Sequence, residues 1–410
     1  MRFSFIHAAD LHIDSPLVGM SLKDRIVAAR FAQAGRRAVE ALVAETVASR
    51  AAFLVIAGDV FDGDWKDVTT GLFFARALGA LHRAGIPVFM VKGNHDAESV
   101  MSRDLPYPDS VTTFRANRAE TVTLDALRVA LHGRSFPHRL TGDFVETYPA
   151  RRDGWLNIGV LHTSLDGSRG HQGYAPCSVE DLKRFGYDYW ALGHVHAAEI
   201  VHRDPWIVFP GNLQGRSVRE TGAKGAMRVT VEDGRIVDVA PIVLDAARWA
   251  HPAVDVTAVE TEAAVLAAAG EAVAAAHEAA EGRPLAVRVT LSGETPLHNR
   301  LVARRETLQD ELRAVGFRVA DDCWIESLKV GTVPPPATPS LAQDAADEGI
   351  DVDRVLAEVV ADPEFAGVVD DLASVLKARL PRDLHDAFAQ SDARETVLAD
   401  ARAWLSGEPS

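Results

Sequence analysis

Over the first 245 residues, apolar positions fall into short unbroken runs separated by longer stretches of helical period. That texture predicts alternating strands and helices. Arg2–His7 reads as a short strand, and Phe53-Leu54-Val55-Ile56-Ala57 is a continuous apolar run ending in Gly58-Asp59, as in a strand buried on both faces. Ile86–Val91 repeats the pattern and ends in Lys92-Gly93-Asn94-His95-Asp96. Leu156–Leu161 ends in His162, and Tyr189–Leu192 ends in Gly193-His194. Helices are predicted over Leu22–Arg50 and Asp67–Ala84, the second stopped by Gly85. Trp206–Phe209, Met227–Val231 and Ile236–Val243 are again β-like and predict a second sheet packed on the first. In Asp67–Ala84 the apolar Leu72, Phe73, Phe74, Ala77, Leu78 and Leu81 define a core face; Phe73 and Phe74 are adjacent, so one of them is left outside it.

The texture changes around Leu244–His251. Residues 261–281 are an Ala/Glu-rich helical stretch, Leu285–Leu291 alternates like a strand, Arg300–Val315 is helical and Cys323–Val330 is β-like. The expected organisation is a first domain over 1–245 and a small α+β domain over 246–333. A stiff proline-rich linker follows over 334–340, because proline fixes φ and removes a donor. Residues 341–410 then form an acidic helical tail.

The 410 residues carry 43 Lys+Arg against 58 Asp+Glu, a formal charge of −15, which excludes a simple basic nucleic-acid coat. That charge is not spread evenly. Residues 1–250 hold 29 basic and 29 acidic side chains, residues 251–333 hold 8 and 13, and residues 334–410 hold 6 and 16. The acidity therefore belongs to the later modules, which suggests separate partners. Hydrophobic residues at 47% and charged residues at 25% exclude wholesale disorder. No apolar run approaches the roughly 20 residues that span a bilayer. With two cysteines, Cys177 and Cys323, and no CxxC pair, the expectation is a reducing, cytoplasmic setting without a disulfide.

Five motifs bear chemistry: Asp10-Leu11-His12, Gly58-Asp59-Val60-Phe61-Asp62, Gly93-Asn94-His95-Asp96, His162 and Gly193-His194-Val195-His196. Most close an apolar run, and open α/β sheets gather ligands beyond the carboxyl ends of their strands, so they point to one shared site. Residue types of this kind suit two divalent cations, which activate water and stabilise in-line displacement at phosphorus. Asp59 is the expected bridge between them. Asp10, His12 and His196 would complete one site, and Asn94, His162 and His194 the other. Mixed nitrogen and oxygen ligands suit manganese, iron or zinc. His95 is expected to stabilise the transition state or protonate the leaving alkoxide, with Asp96 orienting its imidazole. Asp62 and Asp96 read equally as buried, hydrogen-bonded carboxylates. Arg216 and Lys224, in the glycine-rich loop Gly215–Gly225, are candidates for a phosphate contact, against the alternative of a hairpin turn with exposed charges.

These motifs resemble those of calcineurin-like metallophosphoesterases. The stretches Ala8-Ala9-Asp10-Leu11-His12-Ile13-Asp14-Ser15-Pro16, Leu161-His162-Thr163-Ser164, Tyr174-Ala175-Pro176-Cys177-Ser178, Asp188-Tyr189-Trp190-Ala191-Leu192-Gly193-His194 and Pro210-Gly211-Asn212-Leu213-Gln214-Gly215-Arg216 are closer still to the SbcD-type DNA repair nucleases and, among them, to the YhaO branch. The resemblance implies an α/β fold, a two-sheet β-sandwich flanked by helices, with a small α+β capping domain. It also implies a manganese-dependent DNA exonuclease, with endonuclease activity possible, that works beside an SbcC-like coiled-coil ATPase and forms a homodimer through the helix after the second motif. The acidic tail would dock the ATPase. A nucleotide phosphodiesterase, a protein phosphatase and a non-catalytic scaffold for the ATPase stand as alternatives. Some relatives carry histidine where this chain has Asp62. Asp14 reads as a turn cap, His171 as a solvated loop residue and Cys177 as a small packing residue; His7 is assigned no role.

Overall fold

The structure is a computed structural model that describes residues 1–15, 31, 33–62, 68–98, 107–137, 144–165, 175–257 and 259–335. The linker beyond residue 335, the acidic tail, His171 and most of the first half of the Leu22–Arg50 helix lie outside the described residues. The chain divides into two compact units. One comprises Met1–Ala250 with Glu278–Ala286, and the other His251–His277 with the residues from Val287 onward.

In the first unit the strands are β1 (Arg2–Ala8), β2 (Leu54–Ala57), β3 (Val88–Val91), β4 (Val111–Thr113), β5 (Glu120–Leu124), β6 (Val129–Gly133), β7 (Leu156–His162), β8 (Tyr189–Gly193), β9 (Glu199–Arg203), β10 (Trp206–Phe209), β11 (Gly225–Glu232), β12 (Arg235–Val243) and the short β13 (Arg248–Ala250). Its helices are α1 (Ala34–Ala48), α2 (Val68–Arg83), the single turn α3 (Asn94–Glu98) and α4 (Val179–Arg184). One six-stranded sheet runs β12-β11-β1-β2-β3-β4 and the other β5-β6-β7-β8-β10-β9. Strands β1 to β4 are mutually parallel, as are β6, β7, β8 and β10; antiparallel strands flank the second sheet on both sides and the first beyond β1.

The continuous apolar runs are explained by three layers of packing. Phe5, Val55, Phe89 and Val91 meet Leu131, Ile158, Val160, Tyr189 and Val208 between the sheets. The alternate residues Ile6, Ala8, Leu54, Ile56, Val88 and Met90 face outward onto Ala38, Val39 and Leu42 of α1 and Phe74, Leu78 and Leu81 of α2. On the far face of the second sheet, Leu161, Trp190, Leu192 and Ile207 pack with Tyr148 and with Leu182 of α4. That short helix is started by a capping box, in which Ser178 Oγ accepts from Asp181 N while the Asp181 carboxylate accepts from Ser178 N.

Two sequence expectations shift. The later β-like segments do not assemble into a sheet of their own. Trp206–Phe209 joins β8, whereas β11 and β12 return to extend β1, because strand neighbours are set by long-range register rather than chain order. His7, given no role in the sequence, ties the two sheets together: one ring nitrogen lies 3.0 Å from Tyr189 Oη and the other 3.1 Å from the Leu192 carbonyl. Phe74 is buried and Phe73 is partly buried beneath the Arg36 guanidinium, while Val68 and Leu72 are the exposed apolar residues of α2. Asp14 accepts from Arg36 and from the Thr70 hydroxyl. Cys177 is buried, 3.6 Å from Thr163 Oγ1.

The second unit is built from β14 (Ala253–Asp255), α5 (Glu262–Ala279), β15 (Leu285–Glu294), α6 (His298–Ala303), α7 (Arg305–Val319) and β16 (Cys323–Val333), of which α5 and β15 cross the boundary between the units. β14 and β15 pair in parallel and β16 pairs with β15. Val265 and Ala269 of α5 and Leu308 and Leu312 of α7 face Leu291 and Leu328. A forked Arg288–Glu326 ion pair links the strands. Among the described residues, no helix is long and apolar enough to cross a membrane.

Candidate metal centre

The five motifs leave the carboxyl ends of parallel strands, three from one sheet and two from the other. Asp10 and His12 follow β1, Asp59 follows β2, and Asn94, His95 and Asp96 follow β3. His162 closes β7, while His194 and His196 follow β8. The loops are tied to one another through the backbone. Asp10 N donates to Gly58 O at 3.0 Å and His12 N to Asp59 O at 3.1 Å. His194 N donates to both carboxylate oxygens of Asp10, at 3.1 and 2.9 Å. These ties hold strained backbone in place: Asp10, His12, Asp59 and His194 have φ of 52°, 40°, 52° and 98°. Left-handed conformations at non-glycine residues cost on the order of 1–3 kcal/mol each and gather at functional sites. The motif glycines are steric requirements. A β-carbon on Gly93 would stand 2.1 Å from Asp59 Oδ1, and one on Gly193 would stand 2.0 Å from the Ala57 carbonyl.

Two groups of ligand atoms result, each within a 4.8 Å span: Asp10, His12 and His196, and Asp59, His162 and His194. Asp59 Oδ2 lies 3.3 Å from His162 Nε2 and 4.0 Å from His12 Nε2, so one carboxylate oxygen serves both groups. Asn94 Oδ1 joins the second at 3.0 Å from His162 Nε2. Three histidines are turned the same way. Nδ1 faces an oxygen outside the group, in His12 to Asp62 Oδ1 at 2.5 Å, in His196 to Glu220 Oε1 at 2.7 Å and in His162 to the Ala57 carbonyl at 2.9 Å. An Nδ1–H donated outward leaves the Nε2 lone pair pointing in, the tautomer of a metal-bound imidazole. His12 Nε2 and His196 Nε2 are 3.2 Å apart, a meeting of lone pairs that a cation between them satisfies. The donor set therefore fits two divalent ions, with a nitrogen and oxygen mixture that suits manganese, iron or zinc.

The electrostatics agree with this arrangement. Burial works against charge on His162, yet the adjacent Asp59 carboxylate, helped by Asp10, lifts its imidazole to about 9. Burial also opposes the ionised form of Asp59, but His162, His12 and His95 hold its carboxyl well below the usual range. Positive charge is thus favoured where the ligand atoms converge. Burial and then Arg216 push His12 down, which keeps it available as a neutral donor.

His95 sits at the surface of this centre, its side chain 43% exposed and its ring edge-on to His12 with centroids 5.2 Å apart. Its backbone N–H donates to Asp59 Oδ1 at 3.0 Å. The carboxylate beside its ring is Asp62, with Nδ1 and Oδ1 3.8 Å apart. Asp96 accepts from the amides of Val60, Phe61 and Gly93 at 3.2, 2.9 and 3.1 Å, fixing the loops behind the site. Burial, followed by the nearby Asp59 charge, raises Asp96 to about 6. Arg216 spans Asp62 Oδ1 and Glu220 Oε1, 3.4 Å from each, and Lys224 Nζ donates to the His196 carbonyl at 3.0 Å. Burial lowers Lys224 below the ordinary lysine value. The side chain that sequence reasoning missed is Glu220. It lies within the loop singled out for its cations, and its contact with His196, 24 positions away, has no signature in sequence spacing.

The comparisons with known proteins follow this geometry. A family model described as calcineurin-like phosphoesterase matches residues 3–198, and one described as the middle domain of metallophosphoesterase YhaO matches residues 249–333. An uncharacterized metallophosphoesterase YhaO of Bacillus subtilis (strain 168) is 32% identical over 324 residues, which is 78% of each chain. Among solved structures, TT1561 of Thermus thermophilus matches at 13% identity with a TM-score of 0.34, covering 59% of this chain and 99% of that one. A dimetal phosphatase from Danio rerio matches at 12% identity with a TM-score of 0.35 over the same shares.

Proposed function

Because this chain belongs to the calcineurin-like metallophosphoesterases, as its likeness to YhaO establishes, we propose that its phosphoester hydrolysis is directed at DNA. The reading is that of an exonuclease, with endonuclease activity alongside, serving DNA repair with two manganese ions. The observation that carries the hydrolytic part is Asp59 Oδ2 standing within reach of both ligand groups. When bound, a pair of divalent cations supplies charge that activates water and stabilises the oxygens of an in-line displacement. The chain's own residues do the rest. Asp10, His12 and His196 would hold one ion and Asn94, His162 and His194 the other, with Asp59 within reach of both. His95 presents an exposed imidazole to the phosphate, where it donates a hydrogen bond or gives a proton to the leaving alkoxide. Asp96 rigidifies the loops that carry Asp59 and His95.

The choice of DNA rests on the quoted SbcD-like stretches and on the charge balance. A neutral first 250 residues becomes positive at its centre once two cations are held there. We further propose that the acidic tail recruits an SbcC-like ATPase, that the protein acts in the cytoplasm, and that exposed Val68 and Leu72 on α2 support a homodimer. Incubating the purified protein with linear DNA and Mn²⁺, beside Asp59→Ala and His95→Ala, tests the reading. DNA degradation by the wild type that both variants lack is expected. Hydrolysis of a small chromogenic diester without any of DNA would redirect the assignment to a nucleotide phosphodiesterase. Uptake of two metals with no cleavage, alone or with its ATPase, would favour a scaffold.

A further inference from the structure

Behind the first group of ligands lies a second tier whose members come from two separate loops, after β2 and after β10. Glu220 is its most constrained part. Its Oε1 accepts from His196 Nδ1 at 2.7 Å, while Oε2 accepts from Arg216 N at 2.7 Å and from Asn212 Nδ2 at 2.9 Å. Its side chain is only 14% exposed. Burial opposes charge there, but His196 and Arg216 hold the carboxyl below the ordinary glutamate range. On the other side Asp62 accepts from His12 Nδ1. The Arg216 guanidinium spans the two carboxylates and reaches Ser15 Oγ at 3.4 Å.

One further distance decides what this tier does. Arg216 Nη2 lies 3.3 Å from His196 Nδ1, the nitrogen that Glu220 engages. Arginine can only donate, and it stays charged at any working pH. Were Glu220 absent, Arg216 would donate to the Nδ1 lone pair, and the ring proton would move to Nε2, the nitrogen aimed at the metal position. That tautomer cannot ligate.

We propose that Asp62, Arg216 and Glu220 form a clasp that sets His12 and His196 as Nε2 ligands, with Glu220 the positioning residue that keeps Arg216 off His196 Nδ1. Arg216 is then an organiser of the centre rather than a free phosphate contact. The clasp serves only the ion held by Asp10, His12 and His196; His162 is oriented independently by the Ala57 carbonyl. The proposal rests on the two-metal reading above.

The test is Mn²⁺ titration calorimetry on the full chain, with ¹⁵N-histidine spectra of the metal-free protein to read the ring tautomer. Wild type should bind two ions. Glu220→Ala should retain one site and weaken the other by roughly 10- to 100-fold, the usual effect of removing such a partner. In its spectrum the His196 proton should move from Nδ1 to Nε2. Glu220→Gln, whose amide oxygen still accepts, should recover most of the lost affinity. Adding Arg216→Ala to Glu220→Ala should also restore part of it, which a merely structural role would not do. The same double variant leaves no unpaired cation and carries the test if Glu220→Ala does not fold. Folded Glu220→Ala with two sites of wild-type affinity would overturn the clasp, as would a double variant weaker than the single one. Wild type that takes up fewer than two ions would overturn the two-metal reading, and the clasp with it.

Discussion

Replacing Gly93 with alanine is expected to disable the metal centre while leaving the sandwich standing. The added methyl would lie 2.1 Å from Asp59 Oδ1 and 2.8 Å from both Asp59 Cγ and Asp59 N, where ordinary contact begins at 3.4 Å. The carboxylate must swing away by roughly 1 Å, and because the backbone of residue 59 is pinned by the His12 amide, the contact with Asp59 N must be relieved by a smaller shift of residue 93 itself. In doing so it gives up the His95 amide and its place between the two ligand groups. Misplacement on that scale costs about 100-fold in rate. Overpacking typically costs about 1–3 kcal/mol, well short of unfolding a unit this large. Gly93 does not use the left-handed backbone region, so alanine carries no φ penalty and the effect comes from its contacts with residue 59. Initial rates on a chromogenic phosphodiester with excess Mn²⁺, bound metal by elemental analysis, and thermal melts in chelator would measure it. A variant with wild-type kcat and a full complement of metal would refute the steric argument.

Other outcomes follow from the same geometry. His95→Ala should lower kcat by about 100- to 10,000-fold while metal stoichiometry is unchanged, because its side chain is not among the ligands; calorimetry that finds a lost ion would reverse its role. His7 is pushed by burial from 6.5 down to about 3, against a raising contribution from the Leu192 carbonyl. The unfolded chain therefore binds a proton that the native one refuses as pH falls below 6.5, and stability present above 6.5 is lost progressively toward pH 3. The full loss is about 5 kcal/mol at about 1.4 kcal/mol per pH unit, so His7→Gln should flatten the acid limb of urea-unfolding stability against pH; parallel curves would contradict the assignment. Removing residues 337–410 should abolish the proposed ATPase binding and spare diester hydrolysis assayed with Mn²⁺, and loss of both would end that division of labour.

The parts of the site legible in the sequence are those where chemistry and chain order coincide. Asp10, Asp59, Asn94, His162 and His194 each close an apolar run, and a strand buried on both faces needs no partner to declare itself. The spacing of His194 and His196 is equally local. What the sequence hid is relational. Glu220 meets His196 only because the loop after β10 folds back across the end of β8. Asp62 serves His12 from a different strand. The return of β11 to β1, which separates it from β10, depends on register over more than 200 residues and leaves no periodic trace. His7 looks like any apolar-run histidine until Tyr189 is brought opposite it.

The ligands divide between the sheets: Asp10, His12, Asp59 and Asn94 on one, His162, His194 and His196 on the other. An ion shared across that division would work as a rivet, since the layers could not separate without releasing it. Binding only to the closed form stabilises it by mass action, by about 4 kcal/mol for an ion present at 1,000 times its Kd. Metal supply would thus govern how long the folded protein survives heat or proteolysis as well as how fast it turns over. Under scarcity, the enzyme would lose its catalyst and part of its mechanical integrity in the same event.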